Sequence, residues 1–470
     1  MIFSSLFFIC VFLPVTLILY YAVPWRFKNA LLLLVSLVFY AWGEPVYVLL
    51  MIFSIVFNYT AGLQMRDLKT LAQQKKRKAV FIFTVAVNLA LLGFFKYCDF
   101  FLKSINSVLG TQIPLRNIAL PIGISFYTFQ ILSYVIDVYR EKVPVQTSII
   151  DFGAYISMFP QLIAGPIVRY DDIRMQLESR RIDLDHIASG AMWFIRGLGK
   201  KVLLANNIGM LYDTLMAVPV QERAVVSTWL MAGAYTLQIY FDFSGYSDMA
   251  VGLGKMLGFE FVQNFRYPYL SRSATEFWRR WHISLGTWFR EYVYIPMGGN
   301  RCSTPKYIRN LLVVWFLTGL WHGADWTFVI WGLYYGGILI LEKLVIGTWM
   351  KKWPAAVQRI YALVLIIFGW VIFSSGNIVQ LGETIASGFG GFHTAFIDSS
   401  TLYYLGTNLL LIIVCILSST PMVSNVYELL CNRLKTWGRV IGAVLYCLMF
   451  AASVAFLVNA TYNPFLYFRF

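Results

Sequence analysis

Histidine occurs only four times in this chain of 470 residues, and charge is scarce as well: aspartate, glutamate, lysine and arginine make up 13% of it. Soluble domains carry about 25% charged residues, so a soluble globular class is excluded. Hydrophobic residues reach 59% and mean hydropathy is +0.65, values that one anchor helix cannot produce. The six cysteines are scattered with no CxxC pair, which argues against a disulfide framework or a cysteine-ligated metal site. No GxSxG elbow is found, so the chain carries no soluble serine-hydrolase domain of that kind. The first apolar run, Ile2 to Val23, has neither a basic lead nor a small-residue cleavage site and reads as a retained helix. Without a long Gly/Ser linker, low-complexity segment or clear repeat, residues 1–470 read as a single integral-membrane domain.

What remains is an all-α polytopic membrane protein. Its apolar runs predict about twelve crossings, several of them short. The basic loops "WRFK" (25–28), "MRDLKTLAQQKKRK" (65–78), "YREK" (139–142) and "WMKKW" (349–353) alternate onto one side. By the positive-inside rule that side is cytoplasmic, with both termini outside a plasma or inner membrane. The net charge of +15 fits this topology. The stretch 151–170, "DFGAYISMFPQLIAGPIVRY", is apolar but broken by Pro160, Gly165 and Pro166, and is expected to enter the membrane and turn back.

Two of the four histidines sit in apolar surroundings. "LTGLWHGADWTFVIWGLYYG" (317–336) holds His322 and Asp325 inside a lipid-compatible run, and an ionisable residue there is a functional candidate by default. In "ATEFWRRWHISLGTWFREYVYIPMGGNR" (274–301), read as one helix, Trp278, Trp281, His282, Leu285, Trp288, Phe289 and Tyr292 share a face. His282 thus points with the apolar residues, and a buried hydrogen-bonded pair accounts for it as readily as chemistry does. Metal ligation is disfavoured, because no third ligand stands at a suitable spacing. A proton relay using Asp137, Asp242, Asp248 and Asp325, and acid–base catalysis by a neutral imidazole, both remain open on the residues alone. Arg266, Arg272, Arg279, Arg280, Arg290 and Arg301 fall in the inside loop; they satisfy the topology rule or form an anion-attracting mouth.

The two histidine strings together resemble the membrane-bound O-acyltransferase (MBOAT) family. "KNALLLLVSLVFYAWGEP" (28–45), "ALPIGISFYTFQILSYVIDVYR" (119–140), "FPQLIAGPIVRY" (159–170) and "DFSGYSDMAVGLGKMLGF" (242–259) extend the likeness, which is densest over 119–336. "YIPMGGNR" is most similar to the alginate O-acetyltransferase branch, with the D-alanyl-transferring branch a close cousin. The resemblance implies a ring of helices around a funnel and His322 as the catalytic histidine, with His282 in the second position. It implies acyl transfer from a cytoplasmic thioester, acetyl-CoA or a carrier-bound acyl group, to an extracytoplasmic polymer. Trp278, Trp281 and Trp321 would wall the tunnel, and Arg279, Arg280 and Arg290 would meet the donor. The chain's last residues, "FLYFRF" within the tail 459–470, resemble a motif whose tyrosine, here Tyr467, accepts the acyl group before a separate extracytoplasmic SGNH or serine-esterase-like transferase takes it. No resident cofactor, metal or nucleic acid is implied.

Overall fold

The structure is a computed structural model that describes residues 1–459, 462–464 and 466; among the described residues every regular element is helical. Six helices are long and apolar enough to cross a membrane: Tyr47–Asp67, Gln74–Leu109, Trp326–Met350, Ala355–Ser374, Ser399–Ser418 and Thr436–Asn459. A helix closes all its backbone hydrogen bonds internally, which is why it can stand in lipid. Outward side chains such as Leu402, Leu409, Leu410 and Ile413 are exposed, the surface that acyl chains would cover. Other apolar runs lie in helices outside this set: Phe8–Ala22 and Ile124–Tyr139 are shorter, whereas Val225–Met256 is longer but less apolar.

The chain forms two compact units, residues 1–194 with 249–262, and residues 195–248 with 263–470. In the first unit the 151–170 stretch does break as its prolines and glycine demand. A helix Ile149–Ser157 stops at Met158, a short turn Phe159–Leu162 carries Pro160, and the helix Tyr170–Glu178 follows. Residues 152–168 are buried throughout, so this irregular backbone is covered by protein, the condition under which it is tolerated. Its freed polar groups find partners: Phe159 N donates to Ser36 Oγ at 3.1 Å, and Tyr155 Oη to the Val168 carbonyl at 3.1 Å. Gly123, at φ +76°, lies against this turn; a Cβ there would come within 2.5 Å of the Leu162 carbonyl oxygen.

In the second unit the helices Thr304–His322 and Trp326–Leu341 pair as a tight hairpin. Glycines set the approach: a Cβ on Gly319 would fall 2.3 Å from the Phe328 carbonyl oxygen, and one on Gly332 would fall 2.2 Å from that of Trp315. Small residues at the seam let membrane helices approach closely. His322 ends the first strut of this hairpin. Asp325 caps the second by accepting from Thr327 N at 3.0 Å and Thr327 Oγ1 at 3.2 Å, so its role is at a helix end.

Candidate active site

The predicted continuous helix over 274–301 is broken at its histidine. The structure has a short helix Ala274–Arg280, a second one Ile283–Phe289 and a π-helical turn Arg290–Tyr294. His282 between them has φ +45° and ψ +54°, a left-handed conformation that costs an L-residue roughly 1–2 kcal/mol. Neighbours hold the break in place. The buried Asn264 accepts Ile283 N on its carbonyl at 3.1 Å and Ser284 N on its side chain at 3.0 Å. At the other end, Glu342 accepts from Ala274 N (2.7 Å), Thr275 N (2.9 Å) and Thr275 Oγ1 (2.6 Å), and Ser273 Oγ accepts from Glu276 N (2.9 Å). The first turn of the helix is thereby closed by side chains, as orphan N–H groups require.

This break and the hairpin bring the two histidines together although 40 residues separate them in sequence. Their ring centroids lie 6.4 Å apart, and the residues are 1% and 2% exposed. Aromatic rings enclose them: Phe243 stands 4.7 Å from His282, Trp331 4.9 Å and Phe373 5.4 Å from His322. Trp321 touches both, at 5.7 Å from His282 and 5.0 Å from His322. His282 lies outside the six spans, and burial pushes its imidazole down to about 3, so it is neutral.

A cavity of about 970 Å³ borders the hairpin, and His282 is among the residues that line it. Trp278, Trp281, Arg279 and Arg290 line it, with Tyr294, Tyr307, Glu342, Lys343 and Lys351. Arg280 lies elsewhere and pairs with Glu276 at 2.7 Å. Trp281 packs against Trp370 (tilted) and Phe265 (edgewise) at 4.7 and 5.0 Å, and Trp278 edgewise against Trp315 and Tyr335 at 4.7 and 4.8 Å. His322 is not part of that lining; it is 2% exposed, and its ring lies 6.4 Å from that of His282. A second cavity, of about 460 Å³, lies at the hairpin's turn and is lined by Asp325, Trp326, residues 377–380 and Glu383. Tyr467 lies outside the described residues. The relay carboxylates are spoken for: Asp137 approaches Lys142 at 3.8 Å, Asp242 pairs with Lys201 at 2.5 Å, and Asp248 with Lys200 at 2.8 Å. Asn264, Glu342, Lys343 and Lys351 escaped the sequence reading, since each acts across a distance no spacing reveals.

A helical, multi-pass membrane protein with a buried histidine pair, one member of which lines a basic cavity, is the class these observations define. The chain matches the model of the membrane-bound O-acyltransferase family, MBOAT, over residues 42–383. It is 39% identical to a probable alginate O-acetylase, AlgI, of Pseudomonas putida, over all of both chains. Its identity to the probable alginate O-acetylase AlgI of Pseudomonas aeruginosa is 46%, over 80% of this chain and 73% of that one. A peptidoglycan O-acetyltransferase of Helicobacter pylori is 31% identical, over 100% of this chain and 98% of its own. The chain belongs to the membrane-bound O-acyltransferase family and is an O-acyltransferase.

Proposed function

We propose that the protein takes an acetyl group from a cytoplasmic thioester, acetyl-CoA, and passes it to a hydroxyl on the far side of the membrane for O-acetylation of an extracytoplasmic polysaccharide or cell-wall polymer. The observation that carries this reading is the His282–His322 pair, 6.4 Å apart, with His282 lining a cavity that Arg279, Arg290, Lys343 and Lys351 make basic. In this reading the basic mouth faces the cytoplasm, where it holds the donor's phosphates by charge-assisted hydrogen bonds. About twelve crossings and re-entrant segments form a ring around the funnel, and both termini lie outside a plasma or inner membrane.

The acceptor oxygen attacks the thioester carbonyl carbon while His322 takes the hydroxyl proton. The C–S bond then breaks, and the imidazolium returns that proton to the departing thiolate, leaving an ester and a free thiol. General acid–base help of this kind contributes typically 10²–10⁴-fold. Neutral His282 orients the donor carbonyl or donates to the oxyanion as charge develops there. The aromatic lining limits bulk water, and with it thioester hydrolysis. The second cavity, three residues past His322 at Asp325, supports an approach from the opposite face. Tyr467 is the first acceptor in this scheme, and an extracytoplasmic SGNH or serine-esterase-like partner relieves it of the acetyl group. Acetyl rather than D-alanyl transfer is favoured by relatives at 46, 39 and 31% identity whose names state O-acetylation.

The test uses the full chain in proteoliposomes with radiolabelled acetyl-CoA inside. His322→Ala should insert normally and transfer at least roughly 100-fold less label. Transfer within about tenfold of wild type removes His322 from the mechanism. Proton-coupled flux without thioester consumption would make the protein a transporter, and label arriving only from a D-alanyl carrier would change the acyl group.

A further inference from the structure

The Lys201–Asp242 pair belongs to the second unit and plays no part in the chemistry above. Its side chains are 3% and 2% exposed. Lys201 lies on the π-helical segment Lys200–Ala205, and Asp242 midway along the helix Val225–Met256. Desolvating two charges this fully costs more than their attraction returns unless hydrogen bonds satisfy what is left over. Here the chain's own end supplies them: Leu466 N donates to Asp242 Oδ2 at 2.9 Å, and Lys201 Nζ donates to the Pro464 carbonyl. Two flanking anchors continue the row. Asn206 Nδ2 donates to Asn463 Oδ1 at 3.1 Å, and Tyr462 Oη donates to Asp213 Oδ2 at 2.6 Å. Chain ends are ordinarily loose unless tied down; this one is gripped through four residues, two of them by main-chain groups alone.

The helix that carries the grip also contributes a ring to the histidine site. Asp242 is followed by Phe243, whose ring stands 4.7 Å from that of His282, and Leu466 is followed in sequence by Tyr467. We infer that Lys201 and Asp242 are positioning residues that dock the C-terminal tail, fixing the backbone at 464 and 466 so that the next residue is presented for acylation. The inference rests on the reading of Tyr467 as acceptor, but the dock itself can be tested without that reading. Because the pair reads a carbonyl and an N–H, side-chain changes at 464 and 466 matter less than removal of one backbone donor. Leu466→Pro does this while leaving the buried pair and the bundle intact.

Hydrogen exchange of the C-terminal peptide, followed by mass spectrometry on the full chain in detergent or nanodiscs, reads the dock. The acetyl adduct on the same peptide after incubation with acetyl-CoA reads its purpose. Asp242→Ala and Leu466→Pro should each lose protection at the tail by at least roughly tenfold and lower the adduct yield by a similar factor. Their KM for acetyl-CoA should stay within about twofold. Asp242→Asn keeps an oxygen for the Leu466 amide but leaves Lys201 without its counter-ion, and should restore only part of both signals. Unchanged protection in Asp242→Ala and Leu466→Pro overturns the dock; lost protection with an unchanged adduct reduces it to a structural tie and overturns the positioning role. Wild-type polymer acetylation by Tyr467→Phe removes the acceptor reading alone, and the exchange comparison decides the dock in either case.

Discussion

Glu342→Ala is expected to loosen the segment that carries the first histidine. The carboxylate is 5% exposed and accepts three hydrogen bonds, from Ala274 N, Thr275 N and Thr275 Oγ1, at 2.7, 2.9 and 2.6 Å. Bonds to a charged acceptor contribute about 1.5–3 kcal/mol each, but they share one anion and one helix end and do not add. Glu342 also borders the large cavity, from which water can reach stranded donors. The net loss should therefore be about 3–5 kcal/mol, the range for removing one member of a buried charged arrangement. Glu342→Gln preserves one carbonyl acceptor and the shape, and should lose about half as much. Denaturant unfolding of the purified protein in a fixed detergent measures both. The functional consequence follows from position: Ala274–Arg280 carries Trp278 and leads straight into His282. Conditions in which both variants remain folded should show kcat reduced about tenfold in Glu342→Ala with a smaller change in Glu342→Gln. A stability loss below about 1 kcal/mol, the range of an ordinary surface change, would refute the argument that this side chain closes the helix.

The hairpin offers a steric counterpart. A Cβ at Gly332 would fall 2.2 Å from the Trp315 carbonyl oxygen, so Gly332→Ala should force the helices apart at a cost of about 1–3 kcal/mol and lower transfer by displacing His322; a variant as stable and active as wild type contradicts the seam. The basic mouth makes a kinetic prediction. Arg279→Gln combined with Lys351→Gln should raise the acetyl-CoA KM by roughly 5–30-fold, about 1–2 kcal/mol of binding, with kcat within about twofold. Rising salt should raise the wild-type KM and flatten that difference.

The membrane class and the all-helical fold were legible because they are local, as was the burial of a histidine in an apolar run. A 59% apolar composition and a histidine inside a lipid-compatible run need no tertiary information. The break in the 151–170 stretch was legible for the same reason, since Pro160, Gly165 and Pro166 act on their own backbone. The break at His282 was not. Its string keeps helical periodicity through "WRRWHISLGTWF", and the left-handed residue is imposed from outside by Asn264, eighteen residues upstream, and by Glu342, sixty residues downstream. Periodicity reports which residues share a face only while the helix persists. The lysines of the cavity mouth were missed for a related reason: Lys343 and Lys351 look like ordinary helix-end charges until the hairpin brings them beside Arg279 and Arg290.

The two histidines are set by two independent devices, and this bears on how the site can work. His322 is fixed by a hairpin whose glycines admit no slack, while His282 sits in a strained conformation that persists because Asn264 and the Glu342-capped helix over-determine it. Strain of this kind can be released by a modest backbone movement, whereas close glycine packing cannot. Any opening between the large cavity and His322 should therefore come from the side of His282 and of Trp321, the ring that touches both imidazoles. Under the proposed mechanism, a donor in the large cavity would meet the adjustable element at His282, while the hairpin keeps His322 fixed. That asymmetry suits the proposed transfer, in which a bulky thioester needs an adjustable entrance and the histidine that takes the hydroxyl proton needs a fixed position.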